Sequence, residues 1–176
     1  MSLSIVVPCY NEEEAIPVFY DAITLVMNNL LSENKINSYE VIFVDDGSKD
    51  KTLEVLRSLR EKDNHIKYCS FSRNFGKEAA LLCGLKESTG SYVVTMDVDL
   101  QDPPSLIPKM FQVVTEQGFD CAGTRRVTRK GEPPIRSMFA KMFYKLMRAF
   151  TDIEVVDGAR DFRLMTRNMV DSIIGM

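Results

Sequence analysis

The chain has a single histidine, His65, and no C-x-x-C pair among its four cysteines. A Ser-His-Asp or Cys-His enzyme would have to use that one imidazole, and the cysteine spacing offers no zinc-ligand pattern. Cys9, Cys69, Cys83 and Cys121 each sit in or beside an apolar run. A thiol there behaves as a small hydrophobe, so buried structural thiols in a reducing compartment are expected. No G-x-G occurs, which excludes the dinucleotide fingerprint. Gly76-Lys77 is followed by Glu78 rather than Ser or Thr, so it is no phosphate-binding P-loop. The longest apolar run is seven residues, 79–85, well short of the roughly 20 that a membrane span needs. At the N-terminus the apolar run is stopped by Pro8 and then by acids, too early for a secretory signal. Neither an internal repeat nor a low-complexity linker is present. With 22 Lys+Arg against 25 Asp+Glu the net charge is −3, which argues against general nucleic-acid binding.

What is present is the composition of a folded domain: 176 residues, 45% hydrophobic and 27% charged. A chain this long can bury a core without a disulfide or metal, and one domain over 1–176 is expected. Short runs rich in β-branched residues, at 3–7, 40–44, 66–71, 92–96 and 119–122, read as strands. Between them apolar residues recur with helical period. The first set is Ile16, Phe19, Ile23, Met27 and Leu30; the second Leu53, Leu56 and Leu59; the third Ala79, Leu82 and Leu85. A fourth set, Ile107, Met110, Phe111 and Val114, ends near Gly118, as a helix C-terminus often does. Alternation of this kind predicts an α/β fold with a mostly parallel sheet flanked by helices.

In such sheets ligands bind beyond the carboxyl ends of the strands. Three clusters of polar residues fall there: Pro8-Cys9-Tyr10-Asn11-Glu12, Asp45-Asp46-Gly47-Ser48 and Asp97-Val98-Asp99-Leu100-Gln101-Asp102. In extended chain, Asp97, Asp99 and Gln101 face one side and offer hard oxygen ligands for Mg²⁺ or Mn²⁺ on a diphosphate. The plainer alternative is a solvated turn whose acids cap the helix after Pro103-Pro104. Ser48 or Asp50 can likewise cap the helix through Leu53, with Gly47 permitting the turn. That leaves two adjacent carboxylates over, and one of them can accept a pyrimidine N–H or a ribose hydroxyl. Tyr10 offers a flat face to a base, or simply belongs to the core. With both glycine loops missing, a metal on acids is the remaining way to neutralise a diphosphate.

Val6-Val7-Pro8-Cys9-Tyr10-Asn11-Glu12, Val44-Asp45-Asp46-Gly47-Ser48 and Asp97 through Pro104, in that order, resemble the family 2 glycosyltransferases of GT-A fold. The branch resembled most is that of the polyprenyl-phosphate sugar transferases, which includes dolichol-phosphate mannose synthase and the undecaprenyl-phosphate glucosyltransferases. The resemblance implies that Pro8, Tyr10, Glu12 and Asp46 line the nucleoside pocket, with Asp46 on the base. It implies that Asp97, Asp99 and Gln101 hold the metal and diphosphate. Arg125 and Arg136 match arginines that grip the acceptor phosphate, and Asp161-Phe162-Arg163 matches a segment near the transferred sugar. Ala140 stands where some members have serine, so that acceptor contact is expected to be lost. Asp161 replaces the glycine of mannose-transferring members, which favours the glucosyl branch and UDP-glucose.

The implied reaction is an inverting, metal-dependent sugar transfer in cell-envelope biogenesis, at the cytoplasmic face of the membrane. A polyprenyl phosphate acceptor is anionic and hardly needs a general base. A sugar hydroxyl acceptor, the alternative within the family, would need one, and Asp161 is the candidate. A nucleotidyltransferase would want a glycine- and lysine-rich loop at residues 8–12, and a non-catalytic binding module would not call for ordered acid clusters. The resembled branch usually continues into membrane-spanning segments, so the chain reads as a catalytic domain truncated before them. The sequence leaves self-association into a homo-oligomer open.

One stretch lies outside these motifs. Residues 125–148 hold eight lysines and arginines and one acid, a net of +7, so the other 152 residues carry −10. In this stretch and just beyond it, Ile135, Met138, Phe139, Met142, Phe143, Leu146, Met147 and Phe150 share one helical face behind Pro133-Pro134. Residues 133–150 are expected to form either a core helix with a solvated basic back or an amphipathic helix on an anionic membrane surface.

Overall fold

The computed structural model describes residues 1–125 and 159–176. It comprises two compact units, Met1–Ala122 with Asp161–Met176, and Gly123–Arg160. The first holds the core and the cleft described below.

The described backbone alternates as the sequence pattern dictates: β1 (Ser2–Cys9), α1 (Ala15–Ser32), β2 (Ser38–Asp45), α2 (Thr52–Lys62), β3 (Ile66–Ser70), α3 (Lys77–Glu87) and β4 (Tyr92–Thr95). A 3₁₀ turn (Pro104–Leu106), α4 (Ile107–Gln117), β5 (Cys121–Arg125), β6 (Ala159–Thr166) and α5 (Arg167–Ile174) complete it. The sheet order is β3-β2-β1-β4-β6-β5. β1 runs parallel to β2 and β4, and β2 parallel to β3, while β4 and β6 are antiparallel. An α/β fold with a mainly parallel sheet flanked by helices is thus present.

The central parallel strands β1, β2 and β4 are buried on both faces, which is why they read as continuous apolar runs. Leu3, Ile5, Val6 and Val7 of β1 and Val41 to Val44 of β2 are essentially inaccessible. α1 buries Ile16, Phe19, Ile23, Met27 and Leu30, and α4 buries Ile107, Met110, Phe111 and Val114, the stripes expected from their periodicity. Gly118 ends α4 in the left-handed conformation, φ 73°.

The structure corrects the expectation at three elements. α3 is rotated from its expected phase: Ala80, Gly84 and Leu85 are buried while Leu82 is exposed. The reason is close packing on the sheet, since a Cβ on Gly84 would stand 2.3 Å from Val6 Cγ1. A sixth strand, β6 (Ala159–Thr166), was not anticipated. α1 is also long and apolar enough to cross a membrane by length and composition alone, with mean hydropathy 1.2. Counting uninterrupted runs had passed over it because Asp21, Thr24 and Asn28 break the run. Five of its eighteen residues are buried, on the one face that packs against the core. The amphipathic stretch 133–150 lies outside the described residues.

Candidate functional site

The cleft lies at the carboxyl ends of β1, β2 and β4, where the strand rule puts it. It has a volume of about 350 Å³ and is lined by Pro8, Cys9, Tyr10, Glu12, Asp46, Asn74, Gly76, Lys77, Ala80, Asp97, Val98 and Asp99. That is within the usual range for a small-molecule site, about 300–1,000 Å³.

Two loops clamp one another to build its first wall. Asn11, at φ 56°, accepts the amide of Lys49 on Oδ1 (2.8 Å) while its own amide donates to Ser48 Oγ (2.9 Å). The amide of Glu12 donates to Thr52 Oγ1 (2.8 Å), and Glu13 Oε2 accepts the amide of Lys51 (2.7 Å). Ser48 is therefore spent on the neighbouring loop. Asp50 Oδ1 takes the amide of Thr52, the first residue of α2 (3.0 Å). With the backbone fixed on both sides, the Glu12 side chain is delivered to the cleft.

The two adjacent carboxylates that capping could not explain both have structural partners. Asp45 Oδ1 accepts the Ser48 amide (3.0 Å) and Oδ2 the Ser70 hydroxyl (2.8 Å). Asp46, 4% exposed, accepts the amides of Phe75 (2.7 Å) and Gly76 (2.9 Å) on its two oxygens. It pins the β3–α3 loop to the end of β2, so contact with a base would have to use the lone pairs that remain. Gly47 makes the loops' approach possible. At φ 70°, a Cβ there would lie 2.4 Å from the Arg73 carbonyl carbon.

Asp97 and Asp99 both line the cleft, but the chain between Asp97 and Gln101 is not extended. Val98 and Asp99 form a turn and Leu100 takes φ 57°. Gln101 is exposed, donates its amide to Asp99 Oδ1 (3.0 Å) and is absent from the lining. The alternation assumed for three successive ligands holds only while the backbone stays in a strand.

Lys77 and Asp161 complete the centre. Lys77 Nζ lies 2.6 Å from Asp97 Oδ1 and 2.8 Å from Asp161 Oδ2. Asp161 is presented by β6, where Thr95 Oγ1 donates to its carbonyl (2.6 Å). Partial burial works against the charge on Lys77, yet hydrogen bonds to Asp161 and Asp97 prevail and raise its pKa. Glu12 is pushed up by burial and then by the negative charge of Asp99, Asp50 and Asp97. Burial, followed by Glu12, Asp45 and Asp97, pushes the Cys9 thiol well up, so it stays protonated.

Lys77, Asn74 and Gly76 were missed as site residues, although a signal was present. Ser72 to Lys77 is a polar run following the end of a strand, as in the three clusters singled out. His65 lies away from the cleft, against Asp63 (Nδ1–Oδ1 2.7 Å) and stacked on Tyr39 at 4.2 Å. Arg125 ends β5, and Arg136 lies outside the described residues.

The donors fit a hard divalent cation such as Mg²⁺ or Mn²⁺. Asp97 and Asp99 both present carboxylates to the cleft, where burial and then the negative charge of Asp99, Asp50 and Asp97 raise Glu12. Among the described residues no three acid, histidine or cysteine side chains converge on one point. The pair is an open half-site that leaves positions for phosphate oxygens and water.

Residues 4–174 match the family described as Glycosyl transferase family 2. The bactoprenol glucosyl transferase of Shigella phage SfX is 39% identical over 173 residues, covering 98% of this chain and 55% of that protein. The chain spans about half the length of the curated relatives it matches. Among solved structures, the mannosyltransferase PcManGT from Pyrobaculum calidifontis, in complex with GDP-Man and Mn²⁺, superposes with TM-score 0.63 at 21% identity. That match covers 97% of this chain and 46% of the other. Glucosyl-3-phosphoglycerate synthase from Mycobacterium tuberculosis, with Mn²⁺, UDP-glucose and phosphoglyceric acid, gives 0.62 at 21%, over 96% and 57% of the two chains. Both share the fold.

Proposed function

Because the chain belongs to glycosyl transferase family 2, we propose that it moves a sugar, glucose for preference, from a nucleoside-diphosphate sugar to a polyprenyl phosphate at the cytoplasmic membrane face. The observation that carries this is the convergence of Glu12, Asp97, Asp99, Lys77 and Asp161 from different elements on one cleft at the strand ends. The name and 39% identity of the phage relative support both the glucosyl donor and the lipid acceptor.

In this reading the cleft wall from Pro8 to Glu12 receives the nucleoside, with the half-exposed Tyr10 ring against the base. Asp97 and Asp99 would hold a divalent cation, which when bound would supply positive charge beside the departing diphosphate. An anionic phosphate oxygen of the acceptor forms the new bond to the anomeric carbon from the opposite face. The bond from that carbon to the diphosphate oxygen breaks, and its electron pair leaves with the nucleoside diphosphate. The configuration inverts and no proton needs removing. Asp161, held by Lys77 at 2.8 Å, then positions the sugar rather than acting as a base.

The test incubates the protein with labelled UDP-glucose, undecaprenyl phosphate and Mn²⁺. Label should enter a lipid that mild acid cleaves to free glucose. Transfer only to a sugar hydroxyl, or from GDP-mannose and not UDP-glucose, would overturn the acceptor or the donor assignment respectively.

A further inference from the structure

The contact that binds the cleft together is made by a cation belonging to the chain itself. Lys77, the first residue of α3, bridges Asp97 beyond β4 and Asp161 on β6 at 2.6 and 2.8 Å. Asp97 is also one of the two carboxylates that fit a divalent cation. An ammonium at 2.6 Å from its Oδ1 occupies a ligand position and repels a second positive charge placed there.

We propose that Lys77 is the resident counter-ion of the ligand-free cleft, screening Asp97 until a divalent cation arriving with a nucleoside diphosphate displaces it. This rests on the assignment of Asp97 and Asp99 to the metal. The bridge is built to be exchangeable. The side chains of Lys77, Asp97 and Asp161 are 38%, 43% and 52% exposed, and ion pairs so exposed to water are weak. Such a pair can keep two acids together and lower affinity for a bare cation, yet yield when a diphosphate adds its own negative charge. Metal binding then becomes dependent on nucleotide, and the donor site assembles in order. Lys77 acts here as a positioning residue through Asp97.

The experiment titrates Mn²⁺ into wild-type protein, Lys77→Met, Lys77→Gln and Lys77→Arg, reading free Mn²⁺ by electron paramagnetic resonance, alone and with UDP or GDP. Both neutral variants should bind Mn²⁺ without nucleotide about fivefold more tightly than wild type, the size expected for losing exposed pairs. Lys77→Arg, still a cation, should behave as wild type. Adding Asp97→Asn to Lys77→Met should abolish the gain. A merely structural staple would not move metal affinity upward. If both neutral variants bind Mn²⁺ no more tightly than wild type while nucleotide still recruits Mn²⁺, the counter-ion role is wrong and the metal site stands. If wild type takes up no Mn²⁺ even with either nucleotide, the metal assignment fails, and this inference with it.

Discussion

Asp46 does its work with two backbone amides, those of Phe75 and Gly76 at 2.7 and 2.9 Å. Asparagine would keep one acceptor and turn a donor toward the other amide, leaving a part-buried N–H without a partner. Asp46→Asn should therefore cost about 2 kcal/mol, a fall of roughly 4–8 °C in Tm for a domain this size. It should also weaken nucleotide binding, because Asn74, Gly76 and Lys77 lose their anchor. Calorimetric melting and nucleotide titration check both, and an unchanged Tm would contradict the anchoring role. Roles at this scale were only partly legible in the sequence. That Asp46 sits at a strand end followed from pattern. That the amides of Phe75 and Gly76 occupy its oxygens did not, because they lie about thirty positions on in the chain and meet it only in the fold.

Across elements, Glu40 of β2 ties three segments together. It accepts from Ser4 Oγ of β1 (2.6 Å) and from the amide (2.7 Å) and hydroxyl (2.9 Å) of Thr89, and it pairs with Lys67 of β3 at 2.6 Å. Burial opposes its charge, but Lys67, Ser4 and Thr89 outweigh this and hold the carboxyl at about 2, below its ordinary 4.5. The folded value is the depressed one, so the stabilisation is in place above pH 4.5 and is lost as pH falls from there toward 2. Chemical denaturation across that range should show wild-type stability falling by on the order of 3 kcal/mol from this group. In Glu40→Gln that component should be missing and the protein should be weaker at pH 7. Parallel curves for the two proteins would remove Glu40 from the account. A companion variant, Gly84→Ala, forces a Cβ to 2.3 Å from Val6 Cγ1 and should lower stability by about 1–3 kcal/mol.

Elements differ in how plainly the sequence announces them. β1, β2 and β4 are sandwiched between helices, and their valine and isoleucine runs say so. β6 carries a weaker signal. Phe162 and Leu164 are buried while Asp161 and Arg163, which alternate with them, are exposed, a short alternation broken by the buried Met165. Because β6 went unread, the element that delivers Asp161 beside Asp97 was invisible, although Asp161 itself was singled out by family pattern. α3 misled for a different reason. Its buried stripe is made of Ala80 and Gly84, and a periodicity count that follows the largest side chains selects Leu82 instead.

On the scale of the whole molecule, charge is divided along the chain, +7 within 125–148 and −10 elsewhere. An acidic cleft and a basic segment are in keeping with the transfer proposed above, from a nucleotide sugar to an acceptor phosphate rooted in a bilayer. Each basic residue near an anionic surface contributes about 1 kcal/mol, so three or four give weak, salt-sensitive attachment. The protein should co-sediment with anionic vesicles and not zwitterionic ones, and Lys141→Glu with Lys145→Glu should weaken this. Equal binding to both vesicle types, or none at low salt, would return 133–150 to a core helix.

In the proposed function the cleft binds a nucleoside diphosphate through a divalent cation held by Asp97 and Asp99. Isothermal titration of UDP into the protein with Mn²⁺, with EDTA, and into Asp97→Ala and Asp99→Ala tests it directly. Binding should require Mn²⁺ and vanish in both variants while their melting curves stay near wild type. UDP binding of equal affinity in EDTA, or in either alanine variant, would contradict it.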